Sequence, residues 1–516
     1  MTRLTGAGRR VGIGRRAGTV AVTVAMGCLA ACMAPDTTLP PALTSNTRPD
    51  ATDGGTASGD GAGTRVVDGV GGDGVGDPYY PRAGNSGYDV QRYDLVMDVR
   101  INGTDHLDAT ATIGLTPTDD LRRFDLDLIG FDVSTVTVDG SPATFDRDGR
   151  ELTITPARPL HADTPATVVV RYAGTPGHIG SETGGLGDVG DGGWVELGDD
   201  WSTVIAEPIG AATWFPSNDH PSDKAIVTVT ATVPAGLTAV AGGHLVERGD
   251  GPTTSTFRWE ATEPMSPYLA SLTVGDLQLS EQTGPPGVAV LNAVPSNEPN
   301  LLQGALSRFP EMLSFFGERF GPYPFVDAGN VVVPGLAPLA LEAQTRSVLA
   351  RSIMDPTLGT TPDEVTAHEL THQWFGDAVG PAAWNAIWLN EGFATYGEWL
   401  WLEHIGGRSV EASARHAHDG EPDLDIAPAD PGADQLFGRA VYERGGMFLV
   451  ELRKLLGVDR FHQLLRTWVD QHRFGVATTE QFVALAVEFG GVEHGAQVQT
   501  LADDWLYAGP IPELTP

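Results

Sequence analysis

The hydrophobic period changes once along the chain, and that change limits the possible folds more than any other feature. Between Tyr79 and about Asp276, short runs of β-branched and aromatic residues alternate with polar ones, at 93–99, 123–128, 133–138, 167–172 and 225–230. Period two marks half-buried strands, and the Asp139-Gly140 and Asp148-Gly149 pairs between them are turn signals. Past the break at Gly284-Pro285-Pro286-Gly287 the spacing becomes helical, first over 301–320 and then from Thr361 to Trp505. The expectation is an α+β chain in which an antiparallel β-sandwich or saddle is followed by a mostly α-helical domain. No internal repeat is visible.

The first 31 residues read as a processing segment. Arg3, Arg9, Arg10, Arg15 and Arg16 form a positive region, and an apolar stretch from Ala17 to Ala31 ends in Leu29-Ala30-Ala31-Cys32. Small residues just before a cysteine resemble the bacterial lipoprotein signal, in which the cysteine is acylated and becomes the new N-terminus. The resemblance implies export and anchoring to the outer face of the cell membrane through Cys32; an ordinary secretory signal is the alternative. Residues 32–78 are rich in Gly, Asp and Thr and are expected to form a flexible tether. The remaining assignments are a β domain over 79–278 and a catalytic domain over 279–516. Cys28 and Cys32 are the only cysteines, and Cys28 lies in the leader, so no internal disulfide is expected in the mature chain.

With 41% hydrophobic and 19% charged residues the chain can build sizeable cores. Its formal charge of -35 argues against nucleic acid as a partner, because phosphate binding needs clustered Lys and Arg.

The chemistry is concentrated in two segments. His368-Glu369-Leu370-Thr371-His372 matches H-E-x-x-H, and on a helix its two imidazoles share a face and can reach one zinc ion at about 2.0 Å. Thr361-Pro362-Asp363-Glu364 reads as a capping box starting that helix, and Gly376 as its stop. A zinc site of this type needs a third protein ligand. Glu391, in Trp388-Leu389-Asn390-Glu391-Gly392, supplies it after 18 intervening residues, enough to end one helix and begin another packed against it.

The stretches HELTHQWFGD and WLNEGFATY resemble the aminopeptidase N family of zinc metallopeptidases, the gluzincins. The resemblance implies a thermolysin-like catalytic domain holding one zinc per chain on His368, His372 and Glu391. It assigns Glu369 to activating water and moving protons. Val441-Tyr442-Glu443-Arg444-Gly445 is similar to the family's Y-E-K-G segment, which makes Tyr442 the expected donor to the oxyanion of the tetrahedral intermediate.

A free α-ammonium is recognised in this family by glutamates. Leu339-Ala340-Leu341-Glu342-Ala343 stands where the family has G-x-M-E-N, so Glu342 is one candidate, although Leu339 and Ala343 depart from the motif. Ala206-Glu207-Pro208, in the β half, makes Glu207 the second. The implied substrates are peptides with a free N-terminus. The closing 505–510 segment resembles the end of the family's catalytic domain; larger members continue into a helical domain over the cleft, so an open active site is expected. A zinc endopeptidase on the same core and a non-catalytic surface binding lipoprotein remain as alternatives.

Overall fold

The computed structural model describes residues 66–179, 192–359, 361–420 and 424–516. The expected leader and Cys32 lie outside the described residues.

The alternating runs form the β unit. Strand Tyr88–Arg100 is central to an eight-stranded sheet, with Tyr93, Leu95, Met97 and Val99 turned inward and Val96 and Asp98 outward. It pairs antiparallel with His106–Pro117, Leu95 opposite Ala111, and parallel with Ile226–Pro234, Leu95 opposite Val229. Alternation reports which face is buried but not strand direction, so the parallel pairing within an otherwise antiparallel sheet is not readable from the pattern. A five-stranded sheet containing Ser202–Ile205 and Leu272–Gly275 and a three-stranded sheet complete the unit. Asp139 and Gly140, both at positive φ, turn the chain between Asp132–Val138 and Ser141–Pro142, as the Asp-Gly signal requires.

The folded chain begins before Tyr79. Val67 bridges Val70, and Gly71 N donates to Arg123 O at 2.9 Å. Buried Asp77 accepts from the N–H groups of Tyr79, Tyr80 and Trp384 at 2.8, 2.9 and 2.8 Å and meets His220 Nε2 at 3.1 Å. The end of the expected tether is therefore a strap that ties the β unit to the helical one. Its average composition is that of a linker, but its few anchoring side chains decide the outcome.

The second unit opens with a mixed sheet. Leu277–Thr283 and Ala289–Pro295 pair antiparallel, which makes the Gly-Pro-Pro-Gly break a hairpin tip; Asn330–Val333 and Ser347–Ala350 then pair parallel, and Ala340–Leu341 forms the far edge. Among the described residues seven α-helices follow the sheet's first strands: α1 Ala305–Phe320, α2 Thr361–His372, α3 Trp388–His404, α4 Val410–Gly420, α5 Gly445–Leu456, α6 Val458–His472 and α7 Thr479–Ala502. Thr361 is the first residue of α2 and its hydroxyl donates to Leu358 O at 2.9 Å, so it sits inside the helix and not at the expected cap. A π-turn, Ala440–Arg444, leads into α5.

Two glycines inside α3 fix how its neighbours meet it. A Cβ on Gly397 would lie 2.8 Å from Thr371 Cβ on α2, and one on Gly392 would lie 3.0 Å from Gly445 Cα at the start of α5. Glycine inside a helix costs roughly 1 kcal/mol relative to alanine. Here that cost allows α2 and the π-turn to pack on α3 at backbone contact, bringing His368, His372, Glu391 and Tyr442 to one place.

Candidate active site

α2 carries His368, Glu369 and His372 on its buried side, and the first turn of α3 carries Glu391. His368 Nε2 and His372 Nε2 both turn to Glu391 Oε2, at 3.2 and 3.4 Å. Ligand atoms of these three residues all lie within 4.8 Å of one another. The other ring nitrogens are occupied: His368 Nδ1 lies 3.5 Å from Glu398 Oε2, and His372 Nδ1 meets Phe375 O at 3.2 Å. Partners on Nδ1 hold each ring with Nε2 facing inward, the arrangement that metal-binding histidines need.

Two further carboxylates reach the same point from different parts of the chain. Glu342, just beyond the edge strand Ala340–Leu341, comes within 4.8 Å of Glu369 and His372. Glu207, beyond strand Ser202–Ile205 of the β unit, groups at the same range with Glu342 and Glu391. Both are buried, and Glu207 Oε1 and Glu342 Oε1 have no hydrogen-bond partner among the described residues. Tyr442, half-buried on the π-turn, stacks its ring on His368 with centroids 5.9 Å apart. π-Turns recur where a side chain must be aimed into a site. All seven residues singled out from the sequence are thus drawn to one locus or directly against it.

The chain matches the peptidase M1 N-terminal domain over residues 89–269 and the peptidase family M1 domain over residues 305–505. The chain belongs to peptidase family M1. Among solved structures it resembles the M1 zinc metallopeptidase from Deinococcus radiodurans, with a TM-score of 0.78 and 29% identity, covering 86% of this chain and 99% of that one. A mutant of that enzyme bound to the substrate Tyr-Ser-Ala matches with a TM-score of 0.78 at 28% identity, again covering 86% of this chain and 99% of that one. Aminopeptidase M1-D of Oryza sativa subsp. japonica is 27% identical over 305 residues, 55% of this chain and 35% of that protein. Aminopeptidase B of Mus musculus is 29% identical over 304 residues, 54% of this chain and 44% of that protein. The chain therefore spans well under half the length of these curated relatives.

Zinc is the cofactor of an M1 peptidase, and the side chains here fit it. Two inward-facing imidazoles and a carboxylate make a His₂Glu donor set, the kind that holds a catalytic zinc. The charge balance points the same way. Four buried carboxylates, Glu207, Glu342, Glu369 and Glu391, face two imidazoles, so the site is short of positive charge. Burial pushes the Glu207 carboxyl well above its ordinary range, with Glu342 and Glu391 adding to the effect, and pushes Glu369 up to about 7 against the pull of His368 and His372. Glu391 is the exception: burial would raise it, but His372 and His368 hold it at about 2. A dication and a bound ammonium are the species that would satisfy such a cavity.

Glu398 was not anticipated, although a signal existed. It lies seven residues beyond Glu391, two turns along α3, and therefore on the same face. Replacing it with Gln removes the charge that orients His368. The expected result is a zinc affinity about 10- to 100-fold weaker, read by competition with a chelator, with the fold intact.

A cavity of about 430 Å³ has Ile205, Leu339, Trp194 and Leu336 in its walls. Leu339, where the sequence departs from the expected glycine, lines this cavity.

Proposed function

We propose that the protein is a zinc aminopeptidase that removes N-terminal residues from peptides. One observation carries the reading: Glu207 and Glu342, from different units, converge on the metal site with buried, unpartnered oxygens. Leaving such oxygens without a donor is costly, and a substrate ammonium would satisfy both at once with charge-assisted hydrogen bonds. An internal peptide bond offers no such group. Of the two alternatives, an endopeptidase would have no use for this pair, and a non-catalytic binder would have none for Glu369 and Tyr442.

In this reading the clamp holds the substrate's first residue by its amine and sets its carbonyl between His368, His372 and Glu391 on one side and Tyr442 on the other. Zinc, when bound by those three residues, supplies a Lewis acid that polarises the scissile carbonyl and acidifies water. Glu369 takes a proton from the attacking water as its oxygen adds to the carbonyl carbon. The Tyr442 hydroxyl donates to the carbonyl oxygen as it gains charge. Glu369 then delivers the proton to the leaving nitrogen, the C–N bond breaks, and a free amino acid and a peptide one residue shorter result. Incubation with a free peptide should give a ladder of products shortened from the N-terminus alone, abolished by chelator and restored by zinc. Internal cleavage products would contradict the reading.

We also propose that the chain is exported and anchored through an acylated Cys32, on the strength of the arginine-rich start, the apolar stretch to Ala31 and the small residues before the cysteine. Replacing Cys32 with Ala should release the protein from the membrane fraction and abolish incorporation of labelled palmitate; unchanged partitioning would refute the anchor. Among the described residues no helix is long and apolar enough to cross a membrane.

A further inference from the structure

The Glu342 side chain is buried, and its Oε1 has no hydrogen-bond partner among the described residues, so the backbone that carries it does much to set where its carboxylate lies. That backbone is unusual. Thr345, three residues on, sits at φ +67, in the left-handed region that a β-branched residue occupies only when its surroundings impose it.

The surroundings come from two directions. From the β unit, Gly243 N donates to Thr345 Oγ1 at 2.8 Å, and Arg346 donates to Ala241 O and Gly243 O at 3.1 and 2.8 Å. From the metal helix comes Gln373, the residue after the ligand His372 and itself buried. Its Nε2 donates to Glu342 O at 3.0 Å, and its Oε1 accepts from Thr345 N at 2.8 Å and from Tyr323 Oη at 3.3 Å. One carboxamide therefore spans the turn at both ends.

We propose that Gln373 is a positioning residue that sets the spacing between the amine clamp and the metal centre. The inference rests on Glu342 binding the substrate ammonium. Gln373 touches neither substrate nor metal; it links the backbone of a metal ligand directly to the backbone of a clamp residue, and Thr345 extends that link to Gly243 of the unit that carries Glu207. With the link intact, amine and scissile carbonyl are held at one separation. Without it, the strained turn relaxes and Glu342 drifts while His368, His372 and Glu391 stay fixed on their own helices.

The test uses Gln373→Met, which keeps the length and removes all three hydrogen bonds. Gln373→Glu serves as the second variant; it keeps the acceptor for Thr345 N but replaces the donation to Glu342 O with a repulsive carboxylate oxygen. Two zinc-directed inhibitors are compared, leucine hydroxamate with a free amine and acetohydroxamate without one. The expected result for both variants is about tenfold weaker binding of leucine hydroxamate and a similar rise in KM for an aminoacyl anilide. Acetohydroxamate affinity and zinc content should be unchanged, and kcat should change less than KM. Equal weakening of both inhibitors, or no change in either, would overturn the assignment, since a residue that merely supports the fold does not distinguish them. A wild-type enzyme indifferent to the amine would instead remove the clamp itself, and with it the role of Gln373.

Discussion

Glu369→Gln should lower kcat by roughly 10²- to 10⁴-fold while leaving one zinc per chain and changing KM little. The side chain is buried beside His368 and His372 on the face of α2 that meets Glu342, and it lies close enough to the metal-binding group to exchange protons with a water held there. Glutamine matches it in size and keeps an acceptor oxygen, so packing and metal binding should survive. What disappears is the ability to take a proton and return it. In the proposed mechanism the same group serves both the attack and the departure of the amine, so neither half of the reaction would be rescued by the other. Metal analysis and single-turnover rates measured together check this; a variant that keeps zinc and turns over within tenfold of wild type would remove Glu369 from the mechanism.

The second large effect is expected at the clamp. Glu342→Gln and Glu207→Gln each replace a charge-assisted hydrogen bond to ammonium with a neutral one. Each should lower kcat/KM for free peptides by about 10- to 100-fold, the equivalent of roughly 1.5–3 kcal/mol per charged hydrogen bond. The effect should appear mainly in KM. Stability should move the other way. Burial and the neighbouring carboxylates make Glu207 costly to ionise in the free protein, and a neutral amide escapes that cost, so Tm should rise or hold. A glutamate that supported only the fold would lose stability on the same substitution. Measuring Tm alongside kinetics thus separates the two roles, and a fall in Tm with unchanged KM would contradict the clamp.

The metal centre was legible because its geometry is local. His368 and His372 are one helical turn apart on a buried face, and the 18-residue gap to Glu391 suffices for a turn and a new helix. Once α2 and α3 were placed, the third ligand had one position to occupy. The change of period likewise separated the β unit from the helices. What escaped the sequence depends on meetings between distant segments. Nothing near Gln373 announces that its carboxamide will close the turn at Thr345, and nothing near Asp77 announces that Trp384 will donate to it from 307 residues away. Lys224 shows the same thing: its ammonium, buried in the β unit, donates to Asp377 O at 2.7 Å just past the metal helix. The parallel pairings of the second sheet were hidden for another reason, since short buried strands show no alternation to read. The Gly-Pro-Pro-Gly segment was read as the break where the period changes, but composition could not say that it joins two strands of one sheet.

The central claim is that this M1 peptidase selects its substrate by a free N-terminus. The most direct measurement is kcat/KM of the zinc-loaded wild-type enzyme on one peptide in two forms, with a free amine and with that amine acetylated. Loss of the ammonium removes both charge-assisted hydrogen bonds and leaves two buried carboxylates unpartnered. The acetylated peptide should be cleaved at least about 10³-fold less efficiently. Cleavage of both forms at comparable rates would contradict it.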